Sequence, residues 1–297
     1  MPASLSLRHF LLAMAVVAVW GTNFVVIKLA LGHLPPFLFA ALRFSLALFP
    51  AVLFLPRPTV GWRNMATYGV LIGVGQFGLL YLAINGSISP GIASLVVQTQ
   101  VFFTIGLSMY LSGERVQRFQ WFALLLASAG IATIGLHADG STSFAGLALV
   151  LAAALSWAGG NIAAKQANPT NMLAYVVWAS AFAVPPLLAL SLALEGWSTI
   201  SVAVADASWQ TWAAVLWQSW GNTLFGYAAW GWLLARHAAA TITPMALLVP
   251  VFGMGASTFW LDESLPAWKL VAAALVLGGL AVNLLWPKMR AAVLARS

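Results

Sequence analysis

Two stretches of the chain, residues 19–28 and 156–165, repeat one arrangement: a Trp eight residues before a Lys, with an Asn between them. Eight residues is just over two helical turns, so the Trp and the Lys of each stretch lie near one stripe of a helix. Both stretches lie inside long apolar runs, which predicts an amide at membrane depth that only a ligand or neighbouring side chains can satisfy. The chemistry indicated is hydrogen-bonded recognition of a polar solute beside an aromatic surface. The residues are Trp20, Asn23, Lys28, Trp157, Asn161 and Lys165.

Other polar and aromatic side chains also fall in the middle of apolar runs. A cavity for a solute of amino-acid size needs hydrogen-bonding groups for a zwitterion and apolar surface for a side chain. Buried amides without partners cost a few kcal/mol, so each must meet another polar group, water or a substrate. Asn23 and Asn161 therefore have two interpretations, as cavity lining or as a pair that bonds across the two halves. The further substrate-binding candidates are Gln76, Tyr81, Gln98, Gln100, Trp217, Asn222 and Tyr227.

Arg43 is the one charged residue predicted deep within an apolar run, about 10 Å along its helix from Pro36. Because no carboxylate is predicted at a similar depth, carbonyls, water or a substrate carboxylate must satisfy it. Both a structural role and a carboxylate contact are consistent with this position. Lys28 and Lys165 are expected to extend towards the interface.

All six acidic residues and all four His fall in predicted loops or at helix ends. A proton relay through a bilayer needs ionisable groups at depth, so we expect that any solute transport by this chain is passive and driven by the solute gradient. The chain has no predicted metal-ligand cluster, nucleophile dyad or paired carboxylates, which argues against an enzyme and predicts neither a metal nor a cofactor. Two acids, Glu114 and Glu263, begin loops and are expected to lock neighbouring helix ends.

The composition predicts a polytopic membrane protein. Of 297 residues, 62% are apolar, 6% are charged and none is Cys, whereas a soluble domain carries about 25% charged residues. The net charge of +7 is explained by basic residues in short loops rather than by a nucleic-acid partner. The lipid bilayer is thus the expected environment, and the absence of Cys excludes thiol chemistry.

Spanning a bilayer requires about 20 residues, and ten runs are long enough. The fold class predicted is an all-α membrane protein with ten transmembrane helices, and Trp side chains at their ends form an interfacial belt. The predicted helices cover residues 10–30, 36–55, 65–84, 91–111, 118–136, 145–165, 172–194, 210–234, 240–261 and 267–286.

The distribution of basic residues predicts the orientation. With the N-terminus inside, ten Lys and Arg fall on the cytoplasmic side and two, Lys28 and Lys269, on the outer side. This bias predicts that both termini are cytoplasmic.

The chain is predicted to consist of two inverted five-helix repeats. The first repeat covers residues 1–136, 137–144 is a linker, and 145–297 form the second repeat with a short cytoplasmic tail. Five is an odd number, so the second copy enters the membrane in the opposite sense. Secondary transporters often have this design, with the binding site near the midplane where the halves meet.

At this point the chain resembles the EamA-type transporters of the drug/metabolite transporter superfamily, over residues 10–286. Gln100 stands where the second half has the family's Pro, Pro250, and Ser180 stands where Arg43 would have its mate. The resemblance implies alternating access and is strongest to exporters of cysteine-pathway metabolites or aromatic amino acids. The motifs that carry it are residues 19–24, 42–44, 91–96, 113–115, 156–157, 226–231, 247–251 and 262–263.

We therefore expect an exporter of amino acids and related small metabolites that acts as a monomer in a bacterial inner membrane. Alternatives are a multidrug or nucleotide-sugar carrier; a channel is disfavoured because two unlike halves offer no ring of repeated polar groups. Pro244 and Pro250 are predicted hinges, although they and the Gly residues also allow plain close packing. The Gly residues of the third helix are Gly69, Gly73, Gly75 and Gly78.

Overall fold

The computed structural model describes residues 6–112, 117–137, 142–237 and 239–294. This part of the chain is helical throughout, apart from loops and one isolated antiparallel bridge between Ile88 and Thr142. Within it, nine helices are long and apolar enough to cross a membrane, so the protein is a multi-pass membrane protein. They are α1 (Leu7–Leu31), α2 (Pro36–Leu53), α3 (Trp62–Ile84), α4 (Pro90–Leu111), α5 (Arg118–Leu136), α6 (Phe144–Ala167), α7 (Met172–Glu195), α9 (Thr243–Leu261) and α10 (Ala267–Trp286, continuing to Leu294).

The predicted run 210–234 is also helical, through Trp209–Leu216, Trp217–Phe225 and Gly226–Arg236 in succession, and is called α8. It is not one of the nine apolar helices, because its middle part carries several polar side chains. Ten spans therefore stay a prediction, although each predicted run coincides with helix in the structure. A short helix, Trp197–Ala205, lies between α7 and α8 and was not predicted.

Local sequence explains where these helices begin. Ser6, Ser143, Asn171 and Ser208 stand immediately before helices, and their side chains accept hydrogen bonds from backbone N–H groups of the first turn. Pro36 and Pro90 occupy first helical positions, where a missing N–H costs nothing. The starts of α2 and α4 are thus fixed by Pro and those of α1, α6 and α7 by polar caps.

Three helices contain a π-helical segment: Leu71–Gly78 in α3, Ser191–Glu195 in α7 and Trp217–Phe225 in α8. Such segments interrupt the regular backbone ladder and frequently occur at functional sites. The segments in α3 and α8 contain Gln76 and Gln218, so the irregular backbone coincides with polar side chains inside the bundle.

The helices cross the bundle in alternation, as contacts at their ends show. His9 of α1 bonds His237 after α8, and the Asn64 side chain of α3 bonds Ala163 near the end of α6. We call this end the N-terminal side. At the opposite side, Glu195 at the end of α7 accepts from the first N–H groups of α2.

The packing pattern is unchanged when the two halves are exchanged. Helix α1 packs on α9 and its counterpart α6 packs on α4; likewise α3 packs on α6 while α8 packs on α1. Three further pairs, α2 with α7, α4 with α9 and α5 with α10, each join a helix to its own counterpart. The contacts between the two halves are consequently made twice, by equivalent pairs of helices.

Close packing in α3 depends on glycine, as predicted. A Cβ at Gly69 would lie 2.2 Å from the carbonyl oxygen of Ala179, and one at Gly73 would lie 2.3 Å from the Ala183 Cβ. At Gly75 a Cβ would lie 1.8 Å from the Ser156 Oγ. The close-contact role of these glycines is confirmed, since α3 reaches α7 and α6 at distances that allow no side chain.

Candidate functional site

A buried network of polar side chains lies between helices α1, α2, α3 and α8. Arg43 donates from Nη1 to the Tyr81 hydroxyl (3.0 Å) and from Nη2 to the Thr223 Oγ1 (3.1 Å). The Tyr81 hydroxyl donates to Gln218 Oε1 (2.9 Å), and Gln218 Nε2 donates to Asn23 Oδ1 (2.5 Å). All five side chains are buried. We call them the Arg43 cluster; they link the two halves of the chain.

Aromatic rings enclose the charge of this cluster. The Arg43 guanidinium lies 3.6 Å from the centroid of the Phe77 ring and 5.2 Å from that of Phe44. The Tyr81 ring stacks on Phe39 at 4.7 Å. Ring faces attract cations, and this attraction is strongest where water is excluded. Arg43 is therefore held by two hydrogen bonds and by ring contacts rather than by an acid.

Two buried polar atoms, the Nε of Arg43 on α2 and the Oε1 of Gln76 on α3, lack hydrogen-bond partners within the described residues. Two carboxylates of the described residues accept hydrogen bonds, and neither contacts Arg43: Glu195 accepts from the backbone of α2, and Glu263 accepts from Ser89. A positive charge thus stands in the bundle without a contacting anion, as the sequence predicted. The hydrogen bonds of Arg43 to Tyr81 and Thr223 are consistent with the predicted structural role. Its contact with a substrate carboxylate stays a prediction.

A second polar group joins α6 to α4. The Nδ2 of Asn161 donates to Gln100 Oε1 (2.7 Å) and to Thr104 Oγ1 (3.3 Å). Asn161 and Gln100 are partly exposed. The alternative interpretation, in which Asn23 and Asn161 bond each other, is wrong, because each amide pairs with a residue on a neighbouring helix.

Aromatic side chains gather around Trp20 between α1 and α8. The Trp20 indole N–H donates to the Asn222 carbonyl (3.1 Å), and its ring lies 6.0 Å from Tyr227 and 5.2 Å from Trp230. A Cβ at Gly226 would lie 2.4 Å from Trp20 Nε1, so only glycine permits this approach. Trp20 and Tyr227 are both partly exposed, and they form an amphipathic surface beside the Arg43 cluster.

The remaining predicted site residues are not drawn into these groups. Gln76 is buried in the π-helical segment of α3, and Gln98 is buried in a 3₁₀ turn of α4. Trp157 is half-buried against the core, whereas Trp217 is 39% exposed. The structure thus supports grouping of some candidates only.

Gln218, Thr223 and Thr104 were missed by the sequence reading. Gln218 connects Tyr81 to Asn23, and Thr223 also accepts from Arg43. A signal for them existed: Gln218 is flanked by two predicted site residues, Trp217 and Asn222, in the most polar of the long helical segments.

The predicted hinge residues lie where α9 changes geometry. Pro244 begins a 3₁₀ segment, Thr243–Leu248, and Pro250 stands in the first turn of the α-helix that follows, Val249–Leu261. This 3₁₀ segment forms the first part of α9. Hinge motion itself stays a prediction.

Glu263 forms a second interhelical cluster, at the opposite side. It accepts from Ser89 Oγ (2.5 Å) and the Gly91 N–H (3.1 Å) in the first half, and from Lys269 Nζ (2.9 Å) and the Ser257 hydroxyl in the second. Its predicted locking role is confirmed, while Glu114 lies outside the described residues. We call Glu263 and these four partners the Glu263 cluster.

The Glu263 cluster changes the acidity of its carboxyl. Burial alone would raise the pKa of Glu263, but hydrogen bonds from Ser257, Ser89 and Lys269 and the Lys269 charge outweigh it and hold that pKa below its ordinary value of 4.5. Glu263 is therefore ionised at neutral pH and pairs with Lys269, whose side chain is 3% exposed. Lys28 also contacts a neighbouring helix at this side, because its ammonium donates a hydrogen bond to the Ile84 carbonyl at 3.1 Å.

Three cavities occur elsewhere in the described part of the protein. One of about 800 Å³ lies between α5 and α10, one of about 520 Å³ at the opposite side beside Glu195, and one of about 630 Å³ among α4, α5 and α6. Residues of the Arg43 cluster line none of these three. A central substrate cavity accordingly stays a prediction.

Comparison with known proteins completes this description. The model of the EamA-like transporter family matches residues 7–136 and again residues 144–285. A probable amino-acid metabolite efflux pump of Salmonella typhimurium is 38% identical over 296 residues (96% of this chain, 98% of the relative). A protein of the same description from Escherichia coli is 36% identical over 299 residues (97% and 99%). A crystal structure with 20% identity has a similar fold, with a TM-score of 0.62 over 94% of this chain and 96% of the other.

Proposed function

Because the chain belongs to the EamA-like transporter family, we propose that it exports amino acids and related small metabolites. The observation that carries this proposal is the similarity of nearly the whole chain to two probable amino-acid metabolite efflux pumps, at 36–38% identity. Membership of a transporter family over both halves makes the protein a transporter. The substrate class is the proposed step.

The proposed mechanism is alternating access by two inverted five-helix repeats. Three observations support inversion: the family model matches each half, the packing pairs are unchanged when the halves are exchanged, and helix ends alternate between the two sides. Five crossings per half place the second copy in the opposite sense. Rocking of one half against the other alternately opens each side around a site at their interface.

The proposed substrate site uses the groups that the structure brings together between the halves. Asn161 and Gln100 provide amides, Trp20 and Tyr227 provide an aromatic surface, and all four are partly exposed. Amides bind the ammonium and carboxylate groups of an amino acid, and aromatic rings bind its apolar side chain. The Arg43 cluster lies beside this surface, because its member Asn23 is one helical turn from Trp20 on α1.

The Glu263 cluster supports a conformation closed at the opposite side. Its hydrogen bonds join the start of α4 in the first half to the end of α9 and the start of α10 in the second. Opening at that side requires these bonds to break. We propose that the protein lies in a bacterial inner membrane with its N-terminal side facing the cytoplasm. Ten of the Lys and Arg residues are assigned to that side from the sequence.

Counterflow in proteoliposomes tests the function. Purified monomeric protein is reconstituted, vesicles are loaded with unlabelled amino acids one at a time, and entry of the radiolabelled compound is followed without a pH gradient. We expect accumulation for a subset of amino acids, because no acidic side chain of the described residues lies at depth to couple protons. Transport of no amino acid would contradict the proposed function, and transport only with a pH gradient would contradict passive export.

The variant Trp157→Ala tests a predicted site residue that lies outside the groups described above. Trp157 is half-buried and packs against the core, so its removal takes away apolar surface without leaving a buried charge. We expect export to fall below about a tenth of wild type, the loss that 1.4 kcal/mol in substrate binding produces, with the protein still folded in the membrane. Fluorescence-detected size exclusion checks folding, and Trp209→Ala, an exposed Trp at a helix end, is the matched control. Full export by Trp157→Ala would remove this residue from the site.

A further inference from the structure

The hydrogen bonds of the Arg43 cluster have only one possible direction. A guanidinium has donors and no acceptor, so the Tyr81 oxygen must accept from Arg43. If Gln218 turned its amide nitrogen to Tyr81, the Tyr81 proton would face no acceptor, and the observed bond to Gln218 Oε1 at 2.9 Å avoids this. The Gln218 amide nitrogen consequently points to Asn23 and donates to its Oδ1.

The last member of this chain of donors is the amide nitrogen of Asn23. Its oxygen is occupied by Gln218, so Nδ2 carries two N–H donors away from the cluster. Among the described residues Nδ2 has no hydrogen-bond acceptor. It is also not one of the side-chain atoms that are both shielded from solvent and without a hydrogen-bond partner. Asn23 therefore offers two N–H donors to a ligand, while its oxygen already accepts from Gln218.

Asn23 lies one helical turn from Trp20 on α1, and Trp20 belongs to the partly exposed aromatic surface. No carboxylate of the described residues contacts Arg43, so the potential behind this surface is positive. Both the direction of the donors and the potential favour a negatively charged acceptor.

Resting on the proposed function, we propose that Asn23 binds the carboxylate of the transported amino acid, and that Arg43 is a positioning residue that fixes this preference through Tyr81 and Gln218. The site then selects compounds with a free carboxylate over their amides and over decarboxylated amines. A cationic drug lacks the required acceptor and meets a positive potential. This specificity argues against the multidrug alternative.

The test compares two compounds in one preparation, so the ratio does not depend on how much protein folds. The amino acid best transported in counterflow competes against itself and against its primary amide, for example L-leucine and L-leucinamide. We expect wild type to prefer the acid by about 10- to 100-fold, the range for one hydrogen bond to a charged group. Equal inhibition by acid and amide overturns the proposal while amino-acid export stands; absence of any transport refutes the proposed function instead.

Four variants locate the cause. Asn23→Asp replaces the two donors by acceptor oxygens without a change of shape, and we expect the preference to fall at least tenfold. Arg43→Met removes the donor that fixes the direction of the hydrogen bonds from Tyr81 to Asn23, so the preference for acid over amide should fall towards one. Arg43→Lys keeps a side chain that only donates, so it should retain the preference. Ser45→Ala, which removes a bond within α2 only, should change neither rate nor ratio. If Asn23→Asp and Arg43→Met lower both rates equally and keep the ratio, their role is structural and the proposal is wrong.

Discussion

The variant Gly69→Val should yield almost no folded transporter. A Cβ at position 69 would lie 2.2 Å from the Ala179 oxygen, 3.1 Å from its carbonyl carbon and 3.2 Å from the Phe182 Cβ. Backbone cannot rotate away as a side chain does, so α3 and α7 must separate, and the Arg43 cluster loses the position of Tyr81. Overpacking of this kind costs about 1–3 kcal/mol or more. We expect folded yield below about a tenth of wild type, measured by fluorescence-detected size exclusion.

The matched control is Gly255→Val, where a Cβ on an exposed helical position would meet nothing within 4 Å. It adds the same β-branched side chain to a membrane helix. We expect near-normal yield from it. If both variants fold normally, the contact between α3 and α7 is looser than the structure shows, and the closely packed interface described here is wrong.

The variant Glu263→Ala should cause the second large loss. Its removal leaves the ammonium of Lys269 buried, with its side chain 3% exposed, and also leaves the Gly91 N–H and two hydroxyls without their acceptor. Removing one partner of a buried ion pair costs about 3–5 kcal/mol. We expect a fall in Tm of about 10 °C for a chain of this size, with a matching loss of export at working temperature.

The pH dependence of Tm provides a second measurement on the same residue. Because the folded-state pKa of Glu263 lies below its ordinary value of 4.5, its contribution to stability is present above 4.5 and is lost as pH falls through the folded-state pKa. Wild type should therefore lose Tm in that acidic window, and Glu263→Gln should lose less there. Asp262→Asn is the control, since Asp262 is exposed and its φ of 51° suits Asn. A steeper acid dependence in Glu263→Gln than in wild type would contradict the assignment.

Hydrophobic run length predicted the helices with small errors. The predicted span 118–136 has the bounds that the structure shows, and 210–234 differs by one or two residues from the helical segment that ends at Arg236. Run length works because every backbone polar group in a bilayer must bond within its own helix. The short helix Trp197–Ala205 was missed, because a loop helix of nine residues carries no such constraint.

Pairing of polar side chains was predicted much less well. Asn23 was chosen correctly as a buried amide, but its partner is Gln218, at a separation of 195 residues along the chain. Lys269 was predicted only as one of the two basic residues on the outer side, and the sequence did not show that it is buried against Glu263. Sequence shows that a polar group at depth needs a partner, whereas the choice of partner depends on which helix faces it.

The sequence by itself determined that this protein is a helical membrane protein made of two related halves, because composition, run length and charge bias are properties of the chain that the bilayer acts on directly. It also predicted that amides, aromatic rings and one Arg stand at membrane depth. Only the tertiary structure decided that Arg43, Tyr81, Gln218 and Asn23 form one directed chain of donors. Hydrogen bonds require contact within about 3 Å, and helices from opposite halves come into contact only when the bundle packs.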